Sequence, residues 1–161
     1  MSIQTDVLTP ESWQAHRPIE IRYAGFWRRA AALLLDSLIL WIPEMFLEST
    51  ISNLVRIPGL PALEGSLMDL AVTLCVSFLF WWVYRAALHS SSWQATLGKK
   101  ALGIKVTDLS GERISFSRAT IRYFSESLSA IPLGLGFVMA GITERKQALH
   151  DKLAGTLVVQ A

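Results

Sequence analysis

The stretch Leu70-Ala-Val-Thr-Leu-Cys-Val-Ser-Phe-Leu-Phe-Trp-Trp-Val-Tyr84 decides the fold class, because 15 consecutive residues here carry no charge. Asp69 and Arg85 bound it. A helix over residues 67–88 is long enough to cross the roughly 30 Å hydrocarbon core of a bilayer. Three aromatic residues cluster at its C-terminal end, as aromatic side chains do at a membrane–water interface. We therefore predict a transmembrane helix over 67–88.

A second apolar stretch precedes it, over residues 30–47. As a helix its 18 residues would be about 27 Å long, close to one hydrocarbon thickness. Asp36 falls in its middle, and Pro43 and Glu44 fall near its end. The proline either kinks the helix or ends it. We predict a first transmembrane span over 30–47.

A third hydrophobic region, residues 117–142, is interrupted. It begins with polar residues, among which Arg122 and Glu126 have the i,i+4 spacing of a helical ion pair. Proline and glycine residues then break it between 131 and 136, and the ten residues that follow cover only about 15 Å as a helix. The region is either a re-entrant helical hairpin or a third span.

The distribution of charge favours the hairpin. Residues 85–122 contain seven Lys or Arg against two acidic residues, whereas residues 48–69 contain one Arg against three acidic residues. By the positive-inside rule, residues 85–122 and the polar N-terminal arm, residues 1–24, face the cytoplasm. A third full crossing would place the basic residues near the C-terminus outside, against the same rule. We therefore expect a cytoplasmic C-terminus.

A short segment between the second and third regions has the pattern of β-structure. Apolar and polar residues alternate over 103–107 and again over 113–116, and the turn-forming sequence Asp108-Leu-Ser-Gly111 separates them. We predict a small cytoplasmic β-hairpin, to which residues 156–159 could add a third strand. The whole chain then reads as an all-α membrane protein with two transmembrane helices, a broken third hydrophobic region and this hairpin.

The composition excludes several classes of protein. Of the 161 residues, 52% are apolar and 17% charged, the formal net charge is +2, and the mean hydropathy is +0.38. These values argue against disorder, a soluble enzyme and nucleic-acid binding. Gly98-Lys99-Lys100 is not a phosphate-binding loop, since Trp93 and Lys100 stand where that motif needs Gly and Ser or Thr. We expect no catalytic residues, no bound metal and no cofactor.

Two acidic residues are candidates for a functional role. A carboxylate in the middle of a span is costly and is expected to face protein or water, so Asp36 is either a protonatable or cation-binding group or an acid paired with a basic residue such as Arg122. Glu126 is a second buried acid if its region enters the bilayer. The i,i+4 pair with Arg122 is the favoured interpretation of Glu126.

Several motifs together resemble the RDD family of bacterial membrane proteins, which is named for one Arg and two Asp. The matching stretches are Gly25-Phe-Trp-Arg-Arg29 followed by Asp36, Thr96-Leu-Gly98-Lys99, and Leu149-His-Asp151 followed by Ala154-Gly-Thr-Leu-Val-Val159. Arg122 fits a further element. By this resemblance the name-giving residues are Arg29, Asp36 and Asp151, and the family-like membrane domain covers residues 25–159.

The resemblance implies a multi-pass protein of the bacterial inner membrane whose activity is largely undefined, with transport suspected. Our leading hypothesis is participation in moving an ion or small solute, with Asp36 as the central acid. Two spans and one hairpin form too few walls for a pathway, so we expect a homo-oligomer or a larger membrane complex. The alternative is a scaffold or accessory subunit whose basic cytoplasmic face binds partner proteins or anionic lipid. In that case Arg29 and Asp151 would clasp the first helix to the C-terminal segment.

Overall fold

Two long helices dominate the computed structural model, which describes residues 21–55, 62–130 and 135–161. Helix α1 covers Phe26–Val55 and continues through Pro43, and helix α2 covers Ala62–His89. Both predicted spans are therefore confirmed as helices, and each is longer than predicted. Most of the polar N-terminal arm, residues 1–20, lies outside the described residues.

The surfaces of α1 and α2 are those of membrane helices. Both are long and apolar enough to cross a bilayer. In the most apolar stretch of 18 residues, only 17% of the residues of α1 and 6% of those of α2 are buried. A core helix of a soluble protein would have these residues buried. Large apolar side chains instead project outward along both helices, among them Leu34, Leu38, Trp41, Phe46, Leu74 and Leu79. The chain is thus a membrane protein with two candidate spans.

In the described part of the chain, six shorter elements follow α2 in sequence. They are α3 Leu97–Ala101, β1 Ile104–Asp108, α4 Phe116–Ala130, α5 Leu135–Ile142, α6 Leu149–Ala154 and β2 Thr156–Gln160. A small apolar core joins the strands to the ends of α1, α2 and α4, through Ala24, Ala32, Ala86, Ile104, Val106, Ile114, Ala119 and Val158.

The two strands form an antiparallel sheet, but the predicted hairpin pairing is wrong. Strand β1 pairs with β2, with Ile104 opposite Gln160 and Asp108 opposite Thr156, whereas Phe116 already belongs to α4. The first four residues of β2 are all buried, and within 113–116 only Ile114 is. The C-terminal strand therefore offers the apolar surface that β1 needs, and the alternation seen in 113–116 carries no information about the partner.

The sheet connects three distant parts of the chain at one end of the helix pair, namely the start of α1, the segment after α2 and the C-terminal strand. Ala24 N, just before α1, donates a hydrogen bond to Val158 O (2.8 Å), and Gln160 N donates to Arg22 O (2.8 Å). On the other strand, Val106 N donates to Gln94 O (2.7 Å), a few residues after α2. We call residues 90–115 and 149–161 the end cap. The C-terminus therefore lies at the same end of the helix pair as the start of α1.

The third hydrophobic region consists of two helices, as the prediction of a broken region requires. Residues 131–134, at the predicted break, lie outside the described part of the chain. Helices α4 and α5 approach each other closely. A Cβ atom added to Gly136 of α5 would lie only 2.6 Å from Ser129 Cα of α4. Only glycine fits there. Whether this pair of helices enters the bilayer as a hairpin stays a prediction.

Candidate functional site

The carboxylate of Asp151 is the centre of a buried ion cluster. Asp151 is fully buried in the first turn of α6, and Arg29 of α1 donates to its Oδ2 atom. Arg122 of α4 donates to Oδ1 through both Nε (3.0 Å) and Nη2 (2.8 Å). Ala148 N also donates to Oδ2 (3.0 Å), so the same carboxylate caps the start of α6. Burial of this charge is tolerated because every side of it has a donor.

Arg29 connects the start of α1 to the C-terminal part of the chain. Besides its bond to Asp151, it donates from Nε to Ala24 O (2.9 Å) and from Nη2 to Lys146 O (2.5 Å). The contact between Arg29 and Asp151 that the clasp hypothesis requires is therefore present. Arg122 shares this carboxylate, which the sequence did not indicate.

The ion cluster extends through Glu126 to α2. Arg122 Nη1 lies 3.3 Å from Glu126 Oε1, as the i,i+4 spacing predicts, and Arg85 of α2 pairs with Glu126 Oε2. Arg29, Asp151, Arg122, Glu126 and Arg85 thus form one chain of alternating charges across four helices, which we call the ion network. Arginine suits such a site because its planar guanidinium group donates several hydrogen bonds in fixed directions.

The ion network shifts the titration of its neighbours. Burial alone would raise the pKa of Asp151, but the charges of Arg122 and Arg29 hold that pKa well below its usual range. His150 lies beside Ser129, with Nδ1 3.1 Å from Oγ. Burial, followed by the charge of Arg122, lowers the pKa of His150 to about 4. At neutral pH the imidazole is uncharged and Asp151 is ionised.

Asp36 occupies a separate site, where it holds the start of α3. It is only 3% exposed. Its Oδ1 atom accepts hydrogen bonds from Tyr84 OH (2.7 Å) and Gly98 N (2.7 Å), and Oδ2 accepts one from Thr96 Oγ1 (2.6 Å). A carboxylate from α1 therefore caps the N-terminus of α3, where free backbone N–H groups favour a negative charge.

Of the two interpretations left open for Asp36, the pairing with Arg122 is wrong. Arg122 contacts Asp151 and Glu126 instead, because Asp151 already presents a buried carboxylate to it. The donors that meet Asp36 are a tyrosine, a threonine and a backbone amide, all uncharged. Asp36 is nevertheless kept inside the protein and away from lipid, as the cost of an intramembrane acid requires.

Gly98 is required by the close approach of α3 to α1. A Cβ atom at this position would overlap Ala32 O and lie 3.0 Å from Asp36 Cγ. The next residue, Lys99, turns inward, and its Nζ atom lies 2.7 Å from His89 Nε2. Lys100 is exposed and its Nζ lies 3.4 Å from the ring centroid of Trp93. The three residues of this segment thus have three different environments.

Two further acids on α1 face α2, and our sequence reasoning did not single them out. Glu44 Oε1 accepts a hydrogen bond from Trp81 Nε1 (3.0 Å), and Glu48 accepts one from Ser77 Oγ. They lie 8 and 12 residues after Asp36, about 80° and 120° around the helix from it, and all three carboxylates accept hydrogen bonds from α2. We call Asp36, Glu44 and Glu48 the acidic stripe. The presence of Glu44 and Glu48 at the end of an apolar run that already holds Asp36 was the available signal.

A cavity of about 460 Å³ lies between the helices, beside the ion network. One part of its wall is apolar and comes from α1 and α5, through Phe26, Ala30, Leu33, Phe137, Val138 and Ala140. Another part is charged and comes from α1 to α4, through Arg29, Asp36, Arg85, Lys99, Arg122 and Glu126. Within the described ranges, no group of three or more His, Cys, Asp or Glu side chains is arranged to hold a metal ion.

Comparison with known proteins identifies the family. The model of the RDD family matches residues 23–155. The chain belongs to the RDD family. It is 35% identical over 147 residues to "Uncharacterized protein YxaI" of Bacillus subtilis (strain 168). The aligned region covers 84% of this chain and 96% of the relative. It is also 29% identical to "Uncharacterized membrane protein YteJ" of the same organism over 145 residues, 85% of this chain and 80% of the relative. No solved structure matches the chain.

The structure divides the three residues that the resemblance assigned to the RDD name between two sites. Arg29 and Asp151 lie together in the ion network, and Asp36 lies alone at the start of α3. Of the other residues that we singled out, Arg122 and Glu126 belong to the ion network, and Gly98 contacts Asp36. The residues of this set that line the cavity are Arg29, Asp36, Lys99, Arg122 and Glu126. Asp151 and Gly98 contact residues of this lining, although the whole set comes from four helices.

Proposed function

We propose that this RDD protein is a multi-pass protein of the bacterial inner membrane, with α1 and α2 as its crossings and the end cap in the cytoplasm. Two observations support this orientation. Basic residues are concentrated in 85–122 and acidic residues in 48–69, as the positive-inside rule requires. The start of α1 and the C-terminus also meet in one sheet, which an even number of crossings allows.

Participation in moving a proton or another small ion is the function that the geometry favours. The acidic stripe carries this proposal. Among the described residues, Asp36, Glu44 and Glu48 have no cationic partner and are held by neutral donors. Ionisable acids inside a membrane helix are expensive, and such residues mark ion pathways and proton relays.

A single copy provides few walls for such a pathway, so we further propose a homo-oligomer or a larger membrane complex. The apolar outer faces of α1 and α2 are available to another copy as well as to lipid. Crosslinking in native membranes tests this proposal, with higher-order products of this chain or a partner expected. Recovery of monomer alone would contradict it.

Flux measurements in proteoliposomes test the ion-transport proposal directly. Glu44→Gln keeps the size of the side chain and an oxygen that can accept from Trp81, so folding should survive. We expect this variant to lose proton- or cation-driven flux, while the exposed Glu144→Gln, a matched control outside α1 and α2, retains it. Unchanged flux in both Glu44→Gln and Asp36→Asn proteins that remain folded would refute the role of the stripe.

A scaffold or accessory subunit is the second candidate, and the ion network favours it. Asp151 and Glu126 each pair with Arg122 inside one chain, which is how charges that fix a fold are arranged. In that case the basic end cap recruits partner proteins or anionic lipid. A folded protein without flux whose membrane complex disperses when Lys100 and Lys105 are neutralised would favour this alternative.

A further inference from the structure

Lys99 differs from the other cations of the cavity because no carboxylate of the described residues forms an ion pair with it. Arg29, Arg85 and Arg122 each pair with Asp151 or Glu126. The contact of Lys99 is the neutral ring of His89, at 2.7 Å, and none of the described carboxylates lies within ion-pair distance of its Nζ atom. Within the described ranges, the cavity thus holds a lysine amine that has no carboxylate beside it.

The remaining charges around the cavity do not supply a counter-charge for Lys99. Three guanidinium groups face the two carboxylates of the ion network, which leaves the network one positive charge in excess. Asp36 also lines the cavity, but its oxygens accept from Tyr84, Thr96 and Gly98 and not from Lys99. Burial, followed by the charge of Arg122, lowers the pKa of Lys99 well below its usual value. An anion next to Lys99 would balance the excess positive charge and would raise the pKa of Lys99 toward its usual value.

The opposite wall of the cavity suits a different kind of group. Phe26, Leu33, Phe137 and Val138 present apolar surface from α1 and α5, and the volume of about 460 Å³ is within the range of small-molecule sites. A simple inorganic anion would leave this surface without a partner. A molecule with an anionic head and an apolar body would contact both walls. Basic pockets between membrane helices on the cytoplasmic side bind lipid head groups in this way.

We infer that the cavity is a binding site for an amphipathic anion, with its phosphate or carboxylate head against Lys99 and its apolar body against α1 and α5. The head accepts a charge-assisted hydrogen bond from Nζ, and Arg122 and Arg85 add to the positive field. The inference does not require ion transport, because it rests on Lys99 and the apolar wall of the cavity, and Asp36 is the one residue of the acidic stripe in the described lining. Its test also measures binding and not flux.

Thermal unfolding of the full chain in a neutral detergent tests the site, with dodecyl phosphate as the probe. We expect dodecyl phosphate to raise the Tm of the unmodified protein, and dodecanol, which lacks the charge, to leave it unchanged. Lys99→Met should weaken the apparent affinity about tenfold or more, since one charge-assisted bond is lost. Lys100→Met is the matched control, because its side chain is exposed on Trp93, and it should respond like the unmodified protein.

Further arms separate the possible ligands and guard against misfolding. Val138→Trp fills the apolar wall without changing any charge, so it should abolish the response to dodecyl phosphate even if Lys99→Met does not fold. An equal rise in Tm with inorganic phosphate would overturn the amphipathic ligand. Equal responses of Lys99→Met and Lys100→Met, or no response of the unmodified protein, would overturn the site itself.

Discussion

Arg29 and Asp151 are in direct contact although 122 residues separate them in the sequence. The pair joins the first turn of α1 to α6, and Arg122 holds the other oxygen of the same carboxylate. Because one buried carboxylate serves two buried or partly buried guanidinium groups, its removal takes the acidic partner from Arg29 and leaves Arg122 with Glu126 alone. The stability of the end cap on α1 therefore depends on Asp151 more than on either arginine alone.

Asp151→Asn should lower the free energy of unfolding by about 3–5 kcal/mol, the usual cost of leaving buried charge unpaired. Thermal or denaturant unfolding in a mild detergent measures this loss. Glu144→Gln, at an exposed position outside the ion network, is the control and should change stability little. A loss of under about 1 kcal/mol in Asp151→Asn would contradict the central position of this carboxylate.

Exchanging the charges of Arg29 and Asp151 should not restore stability. An arginine at position 151 would lie against Arg122, so the swap replaces an attraction by a repulsion of similar size. We expect Arg29→Asp with Asp151→Arg to be no more stable than Asp151→Asn, as measured by Tm. Full recovery in the swapped protein would mean that Arg122 does not share this carboxylate.

Asp36→Ala should be far more damaging than Asp36→Asn. Alanine leaves the hydroxyl groups of Tyr84 and Thr96 and the amide of Gly98 without an acceptor, at about 1–3 kcal/mol for each buried donor. Asparagine keeps one acceptor oxygen for Tyr84 and Gly98, and its amide can donate to Thr96 Oγ1. The ratio of folded, monodisperse protein recovered from membranes distinguishes the two variants. Equal recovery would contradict the capping role of Asp36.

Gly98→Ala should destabilise the protein by about 1–3 kcal/mol, the range seen when a packed site is overfilled. The added Cβ collides with the carbonyl oxygen of Ala32, so no side-chain rearrangement relieves it and Ala32→Gly should not rescue it. Gly65→Ala is the matched control, because a Cβ there meets nothing within 4 Å. That variant should hold or gain stability, as alanine is the better helix former. Comparison of the two Tm values decides the matter.

The two long helices could be predicted because hydrophobic length is a local property of the chain. The apolar run over 70–84 needs no knowledge of its neighbours to indicate a span. Both helices extend beyond the predicted spans, most of all at the end of α1, at Val55, and the start of α2, at Ala62, since the helical hydrogen-bond pattern continues past the apolar run. The i,i+4 pair of Arg122 and Glu126 could likewise be predicted from spacing alone.

The partners of the strands and of the buried acids could not be predicted in this way. The period-2 pattern of β1 shows which residues face inward, but it contains no information on whether 113–116 or 156–160 pairs with it. Asp36 meets Gly98 after a separation of 62 residues, and only the three-dimensional packing of α3 on α1 selects that contact. The resemblance names both Arg29 and Asp151, and the structure shows that the two side chains form an ion pair.

Acid should destabilise the protein in two steps that follow from His150 and Asp151. The folded state holds the pKa of His150 at about 4, below the ordinary value of about 6.5, so the unfolded chain binds the proton first. Stability is therefore complete above pH about 6.5 and falls toward pH 4, by at most about 1.4 kcal/mol per pH unit for this group. The lowered pKa of Asp151 removes further stability below pH about 4. Tm measured between pH 7.5 and 4 should decline in the unmodified protein and decline less in His150→Gln, and parallel curves for the two proteins would exclude His150 as the titrating group.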